Sequence, residues 1–264
     1  MDMTPDVTAV PTTTTLASTV ALVTGASSGI GHATARRLAA EGSTVVLVAR
    51  RQDRIDVLAK EISEQGGQAI ALAADLTDAD AAADVVATAV ERLGRLDILV
   101  NAAGVMFTGD STQAPLSDWQ QMVDINVKGL LYVTKAALPH LIEAAVTSPR
   151  QVADVVNISS IAGRFTIPQG AVYNATKFGV TAATETWRQE YARRNVRFSV
   201  VEPGLTETEL FGHQSPAVQE RVAARFADVE QLHADDIAEA VAYIVTGPRR
   251  RAVAEIVIRP TDQV

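Results

Sequence analysis

The stretch Thr24-Gly-Ala-Ser-Ser-Gly-Ile-Gly31 decides the fold of this 264-residue chain. It follows the apolar run Val20-Ala-Leu-Val23 and leads into an alanine-rich segment of helical period. A buried strand, a glycine-rich turn and a helix form a phosphate site, because backbone N–H groups and the positive helix end face the anion. We expect Gly25 to permit the tight turn, Gly29 the close approach of the backbone to a pyrophosphate, and Gly31 close packing of helix on strand.

Short β-branched runs alternate with longer alanine-rich segments along the rest of the chain. This alternation predicts an α/β protein, with a doubly wound parallel sheet of about seven strands, helices on both faces and right-handed crossovers. Such an arrangement is a Rossmann fold in a single domain. The strands are expected at residues 20–23, 44–48, 68–73, 96–100, 152–158, 196–202 and 255–258.

The two ends of the predicted domain follow from periodicity and composition. Residues 1–18 hold two prolines and a threonine run without helical or strand period, which predicts a disordered leader. The folded domain is therefore expected over residues 19–264, since a chain with 47% apolar residues and this length can bury one large core. Within it, residues 144–151 are predicted to form a polar loop.

Charge and composition exclude several classes of partner. A net charge of −8 argues against nucleic acid or an anionic membrane surface. No apolar stretch reaches the ~18 residues of a membrane span, and the N-terminal segment lacks the features of a signal peptide. The absence of cysteine excludes disulfides and thiolate sites, and the four histidines lack ligand-like spacing, so no metal site is predicted. We expect a cytoplasmic protein that binds a small molecule.

Tyr173 and Lys177 form a pair suited to proton transfer. Their spacing of four residues puts the phenol and the ammonium on one face of a helix. A free tyrosine titrates near pH ~10, so acid–base work at neutrality requires its pKa to fall by about three, or about 4 kcal/mol. A unit charge about 4 Å away, at an effective dielectric near 20, supplies about 4 kcal/mol. The pair alone is also consistent with chance on an amphipathic helix, so other segments must decide.

Five motifs follow one another along the chain: the glycine turn, Asn101-Ala-Ala-Gly104, Asn126, Ser160 and Tyr173-x-x-x-Lys177. In this combination the chain resembles the short-chain dehydrogenase/reductase family, from Val20 to its end. The resemblance implies four catalytic residues, namely Asn126, Ser160, Tyr173 and Lys177. Ser160 is preferred to Ser159 because the family usually has its serine thirteen residues before the tyrosine.

The resemblance also implies a role for each of these residues. Tyr173 would donate a proton to a carbonyl oxygen during reduction, or accept one from an alcohol, while a nicotinamide carries the hydride. Lys177 would lower the pKa of the phenol and hydrogen-bond the nicotinamide ribose, and Ser160 would donate to the substrate oxygen. Asn126 would hold a water in a proton relay; an asparagine that only caps or kinks a helix is the alternative.

The end of the second strand indicates which nicotinamide cofactor binds. An acid at the position of Ala49 would hydrogen-bond the ribose hydroxyls of NAD and repel the 2′-phosphate of NADP. Arg50 and Arg51 follow Ala49 instead, and guanidinium groups suit phosphate through charge and paired donors. The sequence therefore predicts NADP(H). An ordinary solvated helix start is the alternative reading of the two arginines.

Further cofactor contacts are implied by position within the family. Asp75 and Leu76 resemble the pair that frames the adenine, and Ala102 replaces the second asparagine of the family's N-N-A-G turn. A threonine hydroxyl after the sixth strand would hold the nicotinamide carboxamide; Thr208 is preferred and Thr206 is the alternative. The complete expected cofactor set is Gly25, Ser27, Ser28, Gly29, Ile30, Gly31, Arg50, Arg51, Asp75, Leu76, Asn101, Ala102, Gly104, Tyr173, Lys177, Pro203, Gly204, Thr206 and Thr208.

A substrate site is implied by the same resemblance, with a lid at about residues 204–230. The expected contacts are Ser160, Ile161, Arg164, Gln169, Tyr173 and Leu210, with Met106 and Phe107 adding apolar surface. Arg164 either meets a substrate carboxylate or is a surface arginine paired with an acid. Within the family the chain is most similar to the branch of clavulanate dehydrogenase and the 3-hydroxy-acid dehydrogenases that act on serine-like substrates. That branch favours a small aldehyde or ketone, including carboxylated ones.

The predicted function is an NADP(H)-dependent oxidoreductase that reduces an aldehyde or ketone reversibly to an alcohol. A nucleotide-binding redox sensor without turnover is the alternative, which the intact catalytic residues argue against. An epimerase or dehydratase on the same fold usually has a larger substrate region than this chain offers. The family also implies a homodimer or homotetramer formed through paired helices and the C-terminal strand.

Overall fold

Seven parallel strands form one sheet in the order β3-β2-β1-β4-β5-β6-β7. The computed structural model describes residues 15–263, apart from the side chains of His213 and Ala217. The strands are β1 (Val20–Thr24), β2 (Thr44–Ala49), β3 (Gln68–Ala73), β4 (Ile98–Asn101), β5 (Ala153–Ile158), β6 (Val196–Pro203) and β7 (Glu255–Ile258). The predicted doubly wound sheet is confirmed. Its strand order changes direction between β1 and β4, which is where such sheets bind ligands.

Helices cover both faces of the sheet. They are α1 (Gly29–Ala40), α2 (Gln52–Glu64), α3 (Ala79–Leu93), α4 (Leu116–Val123), α5 (Leu130–Thr147), α6 (Ala171–Tyr191), α7 (Pro216–Arg225) and α8 (Ala234–Val245). A π-helical turn, Asp124–Gly129, joins α4 to α5, and short 3₁₀ turns occupy Ile161–Gly163, Ala192–Arg194 and Glu209–His213. The bounds of these elements fit the alternation of strand and helix read from the sequence.

The core consists of two apolar layers, one on each face of the sheet. Helices α1, α2 and α8 pack on one face and α3, α5 and α6 on the other. Strands β1, β4, β5 and β6 are buried on both faces, as in other parallel sheets, and polar side chains within them, such as Asp154, Asn157 and Arg197, are hydrogen-bonded inside the protein. Alternate residues of one strand enter different layers, so Ala21 and Val23 face one side and Val20 and Leu22 the other.

Two expected boundaries are wrong, and both concern packing that local sequence does not reveal. Residues 1–14 of the expected leader lie outside the described residues, but Leu16 is buried and donates its N–H to the carbonyl of Glu41 at 2.9 Å. The domain therefore begins before residue 19. Residues 144–147 are helical rather than part of a polar loop, because Ala144 and Ala145 continue the buried face of α5.

A buried ion cluster ties β5 to β6 at the amino ends of the strands. Arg197 donates from Nε and Nη2 to the two carboxylate oxygens of Asp154 at 2.7 and 2.9 Å. Arg150 adds a third bond to Asp154 at 2.7 Å. Arg197 also donates to the carbonyl oxygens of Gly247, Pro248 and Arg251. This cluster lies at the opposite edge of the sheet from the glycine turn. Its role is to hold the strands together, because it is remote from the ligand-binding edge of the sheet.

None of the helices within residues 15–263 combines the length and the apolar character that crossing a bilayer requires. The same residues hold no group of three or more His, Asp or Glu side chains placed to bind a metal ion.

Candidate active site

A single long cleft of about 920 Å³ opens at the carboxyl ends of the strands. Residues that directly follow β1 through β6 line it, including Gly25, Arg50, Asp75, Ala102 and Ser160. Because parallel strands all end at the same edge, residues far apart in sequence meet there. The cleft spans the point between β1 and β4 where the strand order reverses.

The glycine turn is held against the loop that follows β4. Gly25 has φ +68°, and a Cβ there would lie 2.8 Å from the backbone of Ala103, so only glycine fits. The Thr24 hydroxyl accepts the N–H groups of Ala102 and Ala103 at 3.1 and 3.2 Å. A Cβ at Gly31 would lie 2.5 Å from the Gly25 carbonyl oxygen. Gly31 therefore packs behind the turn and does not line the cleft, unlike the cofactor contact that was expected.

Three expected catalytic side chains meet in the middle of the cleft. Tyr173 and Lys177 lie one turn apart on α6, both buried, and Ser160 follows β5. The Ser160 hydroxyl lies beside the phenol, and Lys177 donates from Nζ to the Ile158 carbonyl at 3.0 Å. The neighbouring Ser159 instead directs its hydroxyl at the Lys177 carbonyl, 3.1 Å away, and so holds α6 in place. The arrangement leaves Ser160 beside the phenol.

Burial controls the protonation of this pair. It raises the pKa of Tyr173 to about 12, opposed by the hydrogen bond with Ser160. It lowers the pKa of Lys177 to about 8, because a buried ammonium loses its hydration. The expected lowering of the phenol pKa by Lys177 is therefore not met: the Nζ atom lies 5.8 Å from the centre of the ring, and desolvation of the phenolate dominates. At neutral pH the phenol is protonated and can act as a proton donor.

Lys177 is expected to make the fold more stable as the pH rises above 8. The ammonium has a pKa of 10.5 in its ordinary state and about 8 in the folded protein, so between these values the unfolded chain binds more protons. The burial penalty is complete below pH 8 and disappears towards pH 10.5. Urea unfolding at several pH values in this window should show a steeper rise for the wild type than for Lys177→Met. Equal slopes would contradict the assignment.

Asn126 lies in the π-helical turn between α4 and α5, and its amide contacts α6. Its Oδ1 accepts the Val105 N–H at 2.8 Å, and its Nδ2 donates to the Val105 carbonyl at 2.9 Å and to the Thr176 hydroxyl at 3.2 Å. The amide thereby joins the loop after β4 to α6. It does not line the cleft. π-Helical turns are frequent at functional sites, and this one fits the reading of Asn126 as a residue that distorts a helix.

Most of the expected cofactor residues border the cleft. With the exception of Gly31, the lining includes Gly25, Ser27, Ser28, Gly29, Ile30, Arg50, Arg51, Asp75, Leu76, Asn101, Ala102, Gly104, Tyr173, Lys177, Pro203, Gly204, Thr206 and Thr208. Asn101 donates to Asn157 and Thr134 at 2.8 and 3.0 Å, while its buried Oδ1 has no hydrogen-bond partner in the described residues.

The adenosine end of the cleft is positively charged. Arg51 donates to the hydroxyls of Ser27 and Ser28 at 2.9 to 3.2 Å, and Arg50 lies exposed near Asp75. The pKa of Asp75 is lowered, chiefly by its hydrogen bond with the Thr77 N–H and in smaller part by Arg50. Sequence reasoning missed Glu209, which is paired with Arg51 at 3.0 Å. Their separation of 158 positions leaves no local signal of this contact.

Most of the expected apolar residues line the substrate end of the cleft, but the expected charged residue does not. Ile161, Gln169, Leu210 and Met106 line it, whereas Phe107 packs in a small apolar cluster beside it. Arg164 does not line it. Its Nε donates to the buried Glu202 at 2.9 Å, and its Nη2 pairs with Glu255, so the reading of Arg164 as a contact for a substrate carboxylate is wrong.

Three arginines that the sequence analysis did not single out line the cleft instead: Arg221, Arg225 and Arg259. The first two lie on α7 and the third follows β7. No acid within residues 15–263 forms an ion pair with any of them. Local sequence could not have distinguished them from solvated surface arginines.

Comparisons with known proteins, by sequence and by structure, find members of one protein family. Residues 19–219 match the short chain dehydrogenase family. The chain is 37% identical over 248 residues to the glycine betaine reductase ATRR of Emericella nidulans, covering 94% of this chain but only 19% of the length of that protein.

Two solved structures resemble the whole domain. A metagenomic short-chain oxidoreductase in complex with NADP is 32% identical, with a TM-score of 0.78 over 94% of this chain and 99% of the other. The closed form of a serine dehydrogenase complexed with NADP⁺ is 30% identical, with a TM-score of 0.84 over 93% and 96% of the two chains. Both similarities extend far beyond the glycine turn.

Proposed function

The chain belongs to the short-chain dehydrogenase/reductase family, and from this premise we propose that it is an NADP(H)-dependent oxidoreductase that reduces an aldehyde or ketone reversibly to an alcohol. The observation that carries the proposal is the meeting of Ser160, Tyr173 and Lys177 in a cleft that begins at the glycine turn. A protein that only binds a nucleotide has no need of a buried phenol beside a hydroxyl and an ammonium.

The residues of the cleft fit a dinucleotide. The turn after β1 presents backbone N–H groups at the start of α1, and Arg50 and Arg51 follow β2. When bound, NADPH supplies the hydride that adds to the carbonyl carbon. The protein then has to stabilise and protonate the carbonyl oxygen.

Proton delivery to that oxygen falls to Tyr173. With a pKa of about 12 the phenol is protonated at neutral pH, so it can pass its proton to the oxygen as the C–O double bond becomes a single bond. Ser160, which lies beside the phenol, donates to the same oxygen as negative charge develops. Lys177 has a pKa of about 8 and holds a proton next to the phenol at neutral pH. In the oxidation direction the phenolate accepts the proton, so oxidation is favoured at higher pH.

NADP(H) is preferred to NAD(H) because of the charges that follow β2. Replacing Arg50 with Asp is expected to weaken NADPH binding by about 10- to 100-fold and to change NADH binding little, since charge-assisted hydrogen bonds contribute about 1.5–3 kcal/mol. Dissociation constants from cofactor fluorescence measure this. Arg250→Asp makes the same charge change on an exposed turn at the opposite edge of the sheet and serves as the matched control. Tighter binding of NADH than NADPH by the wild type would refute the preference.

The substrate is proposed to carry an anionic group such as a carboxylate. Arg164 is engaged by Glu202 and Glu255, whereas Arg221, Arg225 and Arg259 border the cleft. These three arginines add to Arg50, Arg51 and Lys177 at the cleft, although the chain has a net charge of −8. A guanidinium binds a carboxylate through two parallel hydrogen bonds, which orients a small substrate.

The experiment that tests the function follows nicotinamide absorbance during turnover. NADPH and NADH are each offered small aldehydes, ketones and semialdehydes, with carboxylated compounds paired against their neutral amides. We expect oxidation of NADPH, with carboxylated substrates preferred. Tight binding of NADPH without turnover of any compound would favour the alternative of a redox sensor.

Three further proposals concern a lid over the cleft, the oligomeric state and the location of the protein in the cell. The lid at about residues 204–230 is supported by apolar side chains of this segment that line the cleft, among them Leu205, Leu210, Val222 and Phe226. Closure of such a segment would exclude water from the hydride transfer. A homodimer or homotetramer and a cytoplasmic location are the other two.

A further inference from the structure

Three charged side chains meet at the adenosine end of the cleft. Glu209 accepts a hydrogen bond from Arg51 Nη1 at 3.0 Å, and its second carboxylate oxygen pairs with Arg54 Nη1. The two arginines lie at the start of α2, directly after β2, while Glu209 starts the 3₁₀ turn that follows β6. The ion pairs therefore connect the ends of two strands that lie on opposite sides of the glycine turn.

The position of Glu209 is set by contact with the glycine turn. A Cβ at Gly29 would lie 3.2 Å from the side chain of Thr208, so the segment after β6 rests on the turn itself. Glu209 is ionised at any ordinary pH, because hydrogen bonds from Arg54 and then Arg51 lower its pKa to about 2. The carboxylate is thus a fixed negative charge beside the residues proposed to bind the cofactor.

Arg51 has few free donors in this arrangement. Its Nε and Nη2 atoms are bonded to the Ser27 and Ser28 hydroxyls, and Nη1 is bonded to Glu209. A guanidinium offers five N–H donors in a fixed fork, and a phosphate is bound best through two of them in parallel. A 2′-phosphate near the end of β2 would therefore compete with the Glu209 carboxylate for Arg51, and the two anions would repel each other. The ribose hydroxyls of NAD(H) carry no charge and avoid this competition.

We propose that Glu209 is a cofactor-selectivity residue, whose carboxylate must leave Arg51 before the 2′-phosphate of NADP(H) can take its place. This inference rests on the proposed use of NADP(H) and adds a residue that limits the affinity for it. The exchange also releases the start of the segment that covers the substrate end of the cleft. Binding of the phosphate would therefore increase the mobility of that segment.

The test compares Glu209→Gln with the wild type by calorimetry, using NADPH, NADH and adenosine 2′-monophosphate. We expect NADPH and adenosine 2′-monophosphate to bind the variant roughly threefold to tenfold more tightly, the range that exposed ion pairs and like-charge repulsion produce at low salt. Binding of NADH should change by less than about twofold, because no phosphate contact is gained. Glu207→Gln is the matched control, since it removes an exposed acid two positions away that contacts His233 rather than an arginine.

Unchanged or weaker binding of NADPH by Glu209→Gln, in a protein whose wild type prefers NADPH, would overturn the role of Glu209 alone. A wild type that binds NADH more tightly than NADPH would overturn the proposed cofactor and this inference together. Hydrogen exchange of residues 209–212 gives a second readout. It should be faster in Glu209→Gln than in Glu207→Gln, and equal rates would contradict the restraint that the ion pairs are proposed to impose.

Discussion

Replacing Tyr173 with Phe is expected to lower the rate of NADPH-dependent reduction by about 10²- to 10⁴-fold. The phenol is buried and is the proposed proton donor, and the phenyl ring that replaces it keeps the packing but has no proton to give. The developing alkoxide would then have to take its proton from water, which a closed site excludes. Single-turnover kinetics with NADPH and a reactive aldehyde measure the loss at the chemical step.

Binding of the cofactor is the control for this variant. NADPH should bind Tyr173→Phe within about twofold of the wild type, since the phosphate contacts at the other end of the cleft are untouched. Tyr243→Phe removes the same hydroxyl from a half-exposed ring on α8 and should leave the rate unchanged. A Tyr173→Phe enzyme that retains more than a tenth of wild-type activity would show that another group, or water, supplies the proton.

Replacing Asp154 with Asn is expected to lower the free energy of unfolding by about 3–5 kcal/mol. Asp154 is fully buried and accepts three hydrogen bonds from Arg197 and Arg150, whose guanidinium groups are themselves largely buried. The amide keeps the shape but removes the negative charge, so two cations stay buried without compensation. Urea unfolding followed by circular dichroism gives the free energy directly.

The matched control for Asp154 is an exposed pair with similar bond lengths. Arg188 donates to Glu185 at 2.6 and 2.7 Å on the surface of α6, and Glu185→Gln should leave the unfolding midpoint unchanged within error. An unchanged free energy of unfolding for Asp154→Asn would show that the charges of this cluster do not stabilise the fold. The double variant Asp154→Leu with Arg197→Met should recover part of the loss, because only Arg150 then stays buried without a carboxylate partner.

Much of the fold was predictable because it depends on patterns that repeat within a few residues. Strand β2 is continuously apolar from Val45 to Ala49, and the helices beside it have apolar residues at helical spacing. The glycine turn was predictable for the same reason, since strand, turn and helix are consecutive. Where prediction erred, as at Leu16 and at the end of α5, the error lay in burial against a distant element.

The candidate site was predictable only in part. Tyr173 and Lys177 share one helix, so their spacing alone puts them together, and the family order of motifs indicated Ser160 and the residues after each strand. Arg164 was misjudged because its partners, Glu202 and Glu255, belong to β6 and β7. The pKa of Tyr173 was misjudged because the effect of burial on a phenol depends on all the groups around it.

The sequence by itself determined the order of strands and helices, the glycine turn and the place of Tyr173 and Lys177 on one helix, because these follow from local periodicity and short spacing. Only the tertiary structure decided which charged side chains pair with one another. It paired Arg164 with the acids of β6 and β7, joined Glu209 to Arg51 and Arg54 across the glycine turn, and left Arg221, Arg225 and Arg259 at the cleft. Charge pairing depends on distances in space between residues far apart in the chain, and the sheet sets those distances only when all its strands are in place.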